Sequence, residues 1–137
     1  MYSYKHKVKY YETDKMGITH HSNYIRFMEE ARTDFLCSHG YDYAKLEEMG
    51  IISPVVSVEC KYKATTTYPD EIEISVTVEE VKAAKIRFGY IMKKEDGTVA
   101  LEAASEHCFL TKDGKIARIK KDFPEFYDSM QKLSENK

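Results

Sequence analysis

Tryptophan is absent from this chain, and cysteine, proline and glycine are scarce, with 3, 3 and 6 residues among 137. The three cysteines, Cys37, Cys60 and Cys108, form no CxxC pair and are odd in number. That argues against a disulfide framework or a thiolate metal site and favours a reducing, cytoplasmic setting. No apolar run approaches the length of a membrane span, and the start MYSYKHKVKYYETD lacks the apolar core of a secretion signal. Excess positive charge is missing as well. With a net charge of -2, the chain gives no electrostatic reason to expect nucleic acid as a partner. Repeats, linkers and low-complexity segments are also lacking, so 1–137 reads as one domain.

What is present is a single amphipathic helix followed by alternating strands. Residues 4–11 read as a first strand that ends in the polar ETDK turn. From Tyr24 the apolar residues Phe27, Met28, Ala31, Phe35 and Leu36 fall at helical spacing. Ser22 is the expected N-cap, Gly40 the stop, and Ile25 widens the apolar stripe, so a helix over 23–38 is expected to pack deep against a sheet. A short helix over 43–49 should end at Gly50. Beyond Pro54 the period changes to two. Residues 55–63 form a strand; Ile72, Ile74, Val76 and Val78 alternate with polar residues; Ile86, Phe88, Tyr90 and Met92 repeat the pattern; and Glu95-Asp96-Gly97-Thr98 turns into Val99, Leu101 and Ala103. Lys112-Asp113-Gly114-Lys115 marks another turn, 124–132 a terminal helix, and SENK a frayed end. Strand, long helix, then four strands is an α+β arrangement whose exposed sheet edges invite pairing between subunits.

Chemistry concentrates in YYETDKMGITHHSNYIRFMEEAR, residues 10–32. Asp14 is a base or nucleophile at neutral pH, given an unperturbed carboxylate pKa of about 3.9. Its competing role is to bond its own backbone in a Thr-Asp-x-x-Gly turn. Met16-Gly17 forms the turn. His21 is placed to orient Asp14, bind a substrate oxygen or assist a leaving group, or else is a polar loop residue. The first helical turn near Tyr24 offers backbone N–H groups to an oxyanion. Asn23 either holds the loop or donates to a substrate. His20-His21 lacks the further ligands a metal needs. His107 and Cys108 are neighbours on a strand and point to opposite faces, which removes a Cys–His pair.

The run Tyr11, Thr13, Asp14, Gly17, His21, Asn23, Tyr24, Phe27, Glu29, Ala31 and Arg32 resembles the hot-dog fold acyl-CoA thioesterases. Within them it is most similar to the 4-hydroxybenzoyl-CoA thioesterase-like family and its Tol-Pal-associated branch. A weaker likeness continues through Tyr62 and Tyr68 to Asp70. The resemblance implies a five-stranded antiparallel sheet wrapped around one long central helix, and a homodimer or homotetramer. It implies hydrolysis of an acyl-CoA, short-chain, long-chain or aromatic, with coenzyme A as part of the substrate and no separate cofactor. Asp14, His21 and Tyr24 would then be catalytic, and Gly17, Asn23 and Glu29 would contact substrate. Because related branches use a helix carboxylate, Glu29 is also the alternative to Asp14. A hot-dog hydratase or dehydratase, and a noncatalytic acyl-CoA or acyl-carrier binding module, are the competing functions. Lys82, Lys85, Arg87 and the basic residues of 112–121 are available for coenzyme A phosphates, though charge runs are usually solvated faces.

Overall fold

The computed structural model describes residues 2–136. Five strands form one antiparallel sheet: β1 (Tyr4–Lys7), β2 (Val55–Tyr62), β3 (Glu71–Val81), β4 (Lys85–Lys93) and β5 (Val99–Cys108), in the order β1-β3-β4-β5-β2. Four helices accompany them: α1 (Ser22–Ser38), α2 (Tyr43–Met49), α3 (Ile119–Asp122) and α4 (Pro124–Glu135). The packing divides into two units. One holds the chain up to Phe35 with Cys60–Val76 and Tyr90–Ala103; the other holds Leu36–Glu59, Thr77–Gly89 and the chain from Ala104 onward.

The first unit is built on the apolar face of α1. Tyr24, Phe27, Met28, Ala31 and Phe35, spaced three to four residues apart, are all buried. Around them lie Val8, Ile72, Ile74, Val76, Tyr90, Met92, Ala100 and Leu101, also buried. Ile25, expected to widen the stripe, is 42% exposed; it follows Tyr24 by one residue and so turns away from the face that Tyr24 and Phe27 define. Ser22 lies inside α1 rather than capping it, and its hydroxyl bonds the His20 ring at 2.8 Å. Gly40 ends the helix as expected, at φ 90 with its N–H on the Cys37 carbonyl.

The strand expected over 4–11 stops at Lys7. β1 pairs with β3 so that Tyr4 faces Ile74 and His6 faces Ile72, and Val8 N–H adds one bond to Asp70. The chain then tightens into a 3-10 turn at Tyr10–Glu12, because the Glu12 carboxylate turns back to accept the Lys9 N–H at 2.7 Å.

In the second unit, Asp42 caps α2 by accepting the Lys45 N–H at 2.8 Å, and Gly50 closes it at φ 74. Val78, Ile86, Phe88, Phe109, Ala117, Ile119, Phe126 and Met130 form its core. Tyr41 stacks edge-on against Phe126 and bonds Ser129. Instead of fraying from Ser134, α4 continues to Glu135, with the Ser134 hydroxyl back-bonded to the Gln131 carbonyl at 2.7 Å. Lys137 lies outside the described residues.

β2 stands at the sheet edge opposite β1. Its Val55, Val56 and Val58 are 53%, 47% and 39% exposed. Among the described residues no helix is long and apolar enough to cross a membrane.

Candidate active site

Between Glu12 and His20 the chain makes a short excursion closed on itself. Thr13 and Thr19 form a bridge, and the Asp14 N–H donates to the Ile18 carbonyl at 2.9 Å. The Gly17 N–H returns to the Asp14 carbonyl at 2.9 Å, with Gly17 at φ 78, a conformation glycine adopts without strain. At the base of the excursion the Glu12 carbonyl accepts the His20 N–H at 2.9 Å and the Asn23 side-chain amide at 2.8 Å.

Asp14 is half-buried. Its Oδ1 accepts the Met16 N–H at 2.8 Å, the turn bond open to any Asp in this setting, while Oδ2 takes no hydrogen bond from a described residue. Asp14 shares a cleft of about 260 Å³ with His21, Tyr24, Met16, Ile18, Thr19 and the segment Tyr62–Thr65. His21 is exposed at the head of α1, tilted against His20 at 4.3 Å between centroids and edge-on to Tyr62 at 6.3 Å. The Tyr62 hydroxyl donates to the His21 carbonyl at 3.4 Å. Partial burial, with the Cys60 thiol beside it, pushes the Tyr62 phenol above its usual value, so it remains a neutral donor.

Tyr24 is buried, and its hydroxyl bonds Thr66 Oγ1 at 2.8 Å. Thr66 Oγ1 in turn bonds Thr19 Oγ1 at 2.7 Å, so three hydroxyls run in a line under the cleft. The Tyr24 backbone N–H, expected to face an oxyanion, donates to the His21 carbonyl at 3.3 Å, and the Asn23 N–H donates to His20 at 3.0 Å. These two N–H groups at the head of α1 are therefore already engaged within the chain.

Of the residues singled out from sequence, Asp14, His21 and Tyr24 meet in the cleft. Gly17, Asn23 and Glu29 do not line it. Gly17 shapes the turn, and its carbonyl accepts the Thr67 hydroxyl at 2.6 Å. Asn23 spends its amide on Glu12, which is the loop-holding alternative. Glu29 is exposed on α1. Lys63, missed from sequence, stands at the cleft and pairs loosely with Glu102 at 3.8 Å. Among the described residues no group of His, Cys, Asp or Glu is arranged to hold a metal ion.

A five-stranded antiparallel sheet in this order with one long helix is the α+β hot-dog fold. The chain belongs to the Thioesterase-like superfamily, which it matches over residues 8–131. It is 43% identical over 119 residues to an Aquifex aeolicus protein provisionally described as an esterase, covering 87% of this chain and 91% of that one. YneP of Bacillus subtilis, provisionally described as an acyl-CoA thioesterase, is 32% identical over 92% of each chain. The crystal structure of a DHNA-CoA thioesterase from Staphylococcus aureus superposes with a TM-score of 0.90 at 30% identity, covering 97% of this chain and 90% of that one. The likeness to the YbgC thioester hydrolase of Escherichia coli is more distant, 26% over 71% of this chain, so the Tol-Pal-associated branch is a weaker match than the family as a whole.

Proposed function

We propose that this protein hydrolyses acyl-CoA thioesters, with Asp14 as the catalytic carboxylate. The observation that carries this reading is the convergence of Asp14, His21 and Tyr24 on one cleft of about 260 Å³, in a chain whose relatives include proteins described as acting on acyl-CoA. Asp14 Oδ1 is held by the Met16 N–H, which fixes the carboxylate while Oδ2 remains available. Oδ2 takes a proton from water as the water oxygen bonds to the thioester carbon, or attacks that carbon itself. In the first course the C–S bond breaks, the acyl group leaves as a carboxylic acid and the sulfur takes up the proton as the free thiol; in the second the C–S bond breaks to leave the acyl group on Asp14 as a mixed anhydride, the departing thiolate takes a proton from water, and a further water hydrolyses the anhydride to the acid and the free Asp14 carboxylate. A ring N–H of His21 and the dipole at the head of α1 polarise the carbonyl. Tyr24 serves as a wall, its hydroxyl tied to Thr66.

The 1–137 chain works as one hot-dog domain and assembles as a homodimer or homotetramer. The apolar, exposed edge strand β2 supports the assembly, since such edges are normally covered. Three thiols with no disulfide among the described residues support a cytoplasmic setting. A noncatalytic acyl-CoA binding module is the alternative that the Asx-type bond of Asp14 favours, because that bond alone accounts for an Asp at this position.

The test is thiol release from a panel of short-chain, long-chain and aromatic acyl-CoAs, with Asp14→Asn assayed beside the wild type. Loss of turnover by at least about a hundredfold in the variant, with unchanged folding, is expected. Full activity in Asp14→Asn removes the assignment, and absence of turnover from folded wild type favours the binding module.

A further inference from the structure

Beside the base of the Asp14 excursion lies a cluster of His6, Glu12 and Glu30 that the proposed chemistry does not use. His6 on β1 is 5% exposed and Glu12 8%. His6 Nε2 lies 2.9 Å from Glu12 Oε1, and His6 Nδ1 lies 3.4 Å from Glu30 Oε2 on α1. The imidazole stacks on Phe27 with centroids 4.0 Å apart. Glu12 Oε1 also accepts the Lys9 N–H, and the Glu12 carbonyl accepts both His20 N–H and the Asn23 amide. Two residues after Glu12 comes Asp14.

Carboxylate oxygens only accept when ionised, and a neutral imidazole carries a single N–H. With a carboxylate at each ring nitrogen, only the imidazolium donates on both sides. Tyr4, beside Glu30, has its phenol pushed up by burial and then by Glu30 and Asp34, so it stays neutral, and the residue facing His6 on β3 is Ile72. A neutral His6 would turn a lone pair toward one of two carboxylates, the buried Glu12 or the exposed Glu30.

We infer that His6 and Glu12 are positioning residues, in which a doubly protonated His6 ties Glu12 to Glu30 of α1 and thereby holds the Asp14 loop against the head of that helix. The inference rests on Asp14 being the reacting carboxylate. Replacing either carboxylate, in Glu12→Gln or in Glu30→Gln, weakens one side of the clamp and loosens the Asp14 loop. Glu30 is half exposed, which makes Glu30→Gln a variant with little risk to folding. Glu12→Ala, which frees the base of the loop, is expected to lower kcat by up to about a hundredfold with KM nearly unchanged, as displacement of a reacting group by about 1 Å does.

The experiment joins kcat and KM of wild type, Glu12→Gln, Glu30→Gln and Glu12→Ala to ¹⁵N spectra of the His6 ring and exchange of the Asp14 amide. Expected are two N–H groups on the His6 ring, faster Asp14 exchange in both Gln variants and the fastest in Glu12→Ala. A ring with one bare nitrogen, or Asp14 exchange in the variants that matches the wild type, overturns the inference. The spectra and the amide exchange need no turnover, so failure of the thioesterase reading is recognised separately.

Discussion

Thr66→Val is a near-isosteric change at the hub of the hydroxyl line beneath the cleft. Thr66 is 1% exposed, Tyr24 3% and Thr19 4%. Thr66 Oγ1 holds Tyr24 at 2.8 Å and Thr19 at 2.7 Å. Valine keeps the shape, and the Thr19 N–H to Thr66 carbonyl bond at 2.8 Å survives because it is backbone. Two buried hydroxyls lose their shared partner. At about 1–3 kcal/mol for each unsatisfied group, and with water from the cleft relieving part of the loss, about 2–4 kcal/mol of stability should go. For a chain of this size that lowers Tm by roughly 7–14 °C. The decisive comparison is a double-mutant cycle in urea. Adding Tyr24→Phe to Thr66→Val removes the orphaned phenol oxygen, so the pair should cost about 1–2 kcal/mol less than the sum of the singles. Strict additivity, or a Thr66→Val protein that unfolds at the wild-type urea concentration, refutes the view that this hub holds the wall of the cleft.

Other perturbations probe separate links. His21→Ala is expected to lower kcat by roughly a hundredfold while leaving the urea midpoint unchanged, since the ring is exposed and no hydrogen bond to it supports the fold; an unaltered kcat removes His21 from the carbonyl. Val58→Lys, on the exposed edge strand, should reduce the particle mass measured by light scattering, and an unchanged mass places the subunit contact elsewhere. Phe27→Ala empties a site 1% exposed beneath the His6 ring and should cost about 3–5 kcal/mol by urea unfolding.

Local periodicity made the main helix and the strands β3 to β5 readable, because Phe27, Met28, Ala31 and Phe35, or Ile72, Ile74 and Val76, repeat on the period of their element. Reading failed where a side chain redirected its own backbone. The 4–11 strand broke at Lys7 because Glu12 returns to the Lys9 N–H, an arrangement with no periodic signature. Ile25 misled since an apolar residue one position off the stripe still counts toward composition. In the candidate site, Asp14 and His21 were picked out from one compact motif, and Asn23 of the same motif places its amide on the Glu12 carbonyl. The opposite wall of the cleft, Tyr62 to Thr65, lies some forty residues away along the chain, and Thr66 reaches Thr19 across a separation of 47. Such pairings depend on strand placement, which no local pattern encodes. His6 was invisible for the same reason: only the pairing of β1 with β3 and the packing of α1 bring it between two carboxylates.

The excursion between Glu12 and His20 closes on its own base through the Thr13–Thr19 bridge and the bond from His20 to Glu12. Its interior, from Lys15 to Ile18, supplies Met16 and Ile18 to the cleft yet contributes nothing to the sheet. On the proposed reading, chemistry and selectivity would ride on a cassette that meets the rest of its unit through its base and the Gly17–Thr67 bond. Exchange of Lys15, Met16 and Ile18, with Gly17 kept for the turn and Asp14 retained at the entrance, is then the route to a different acyl preference.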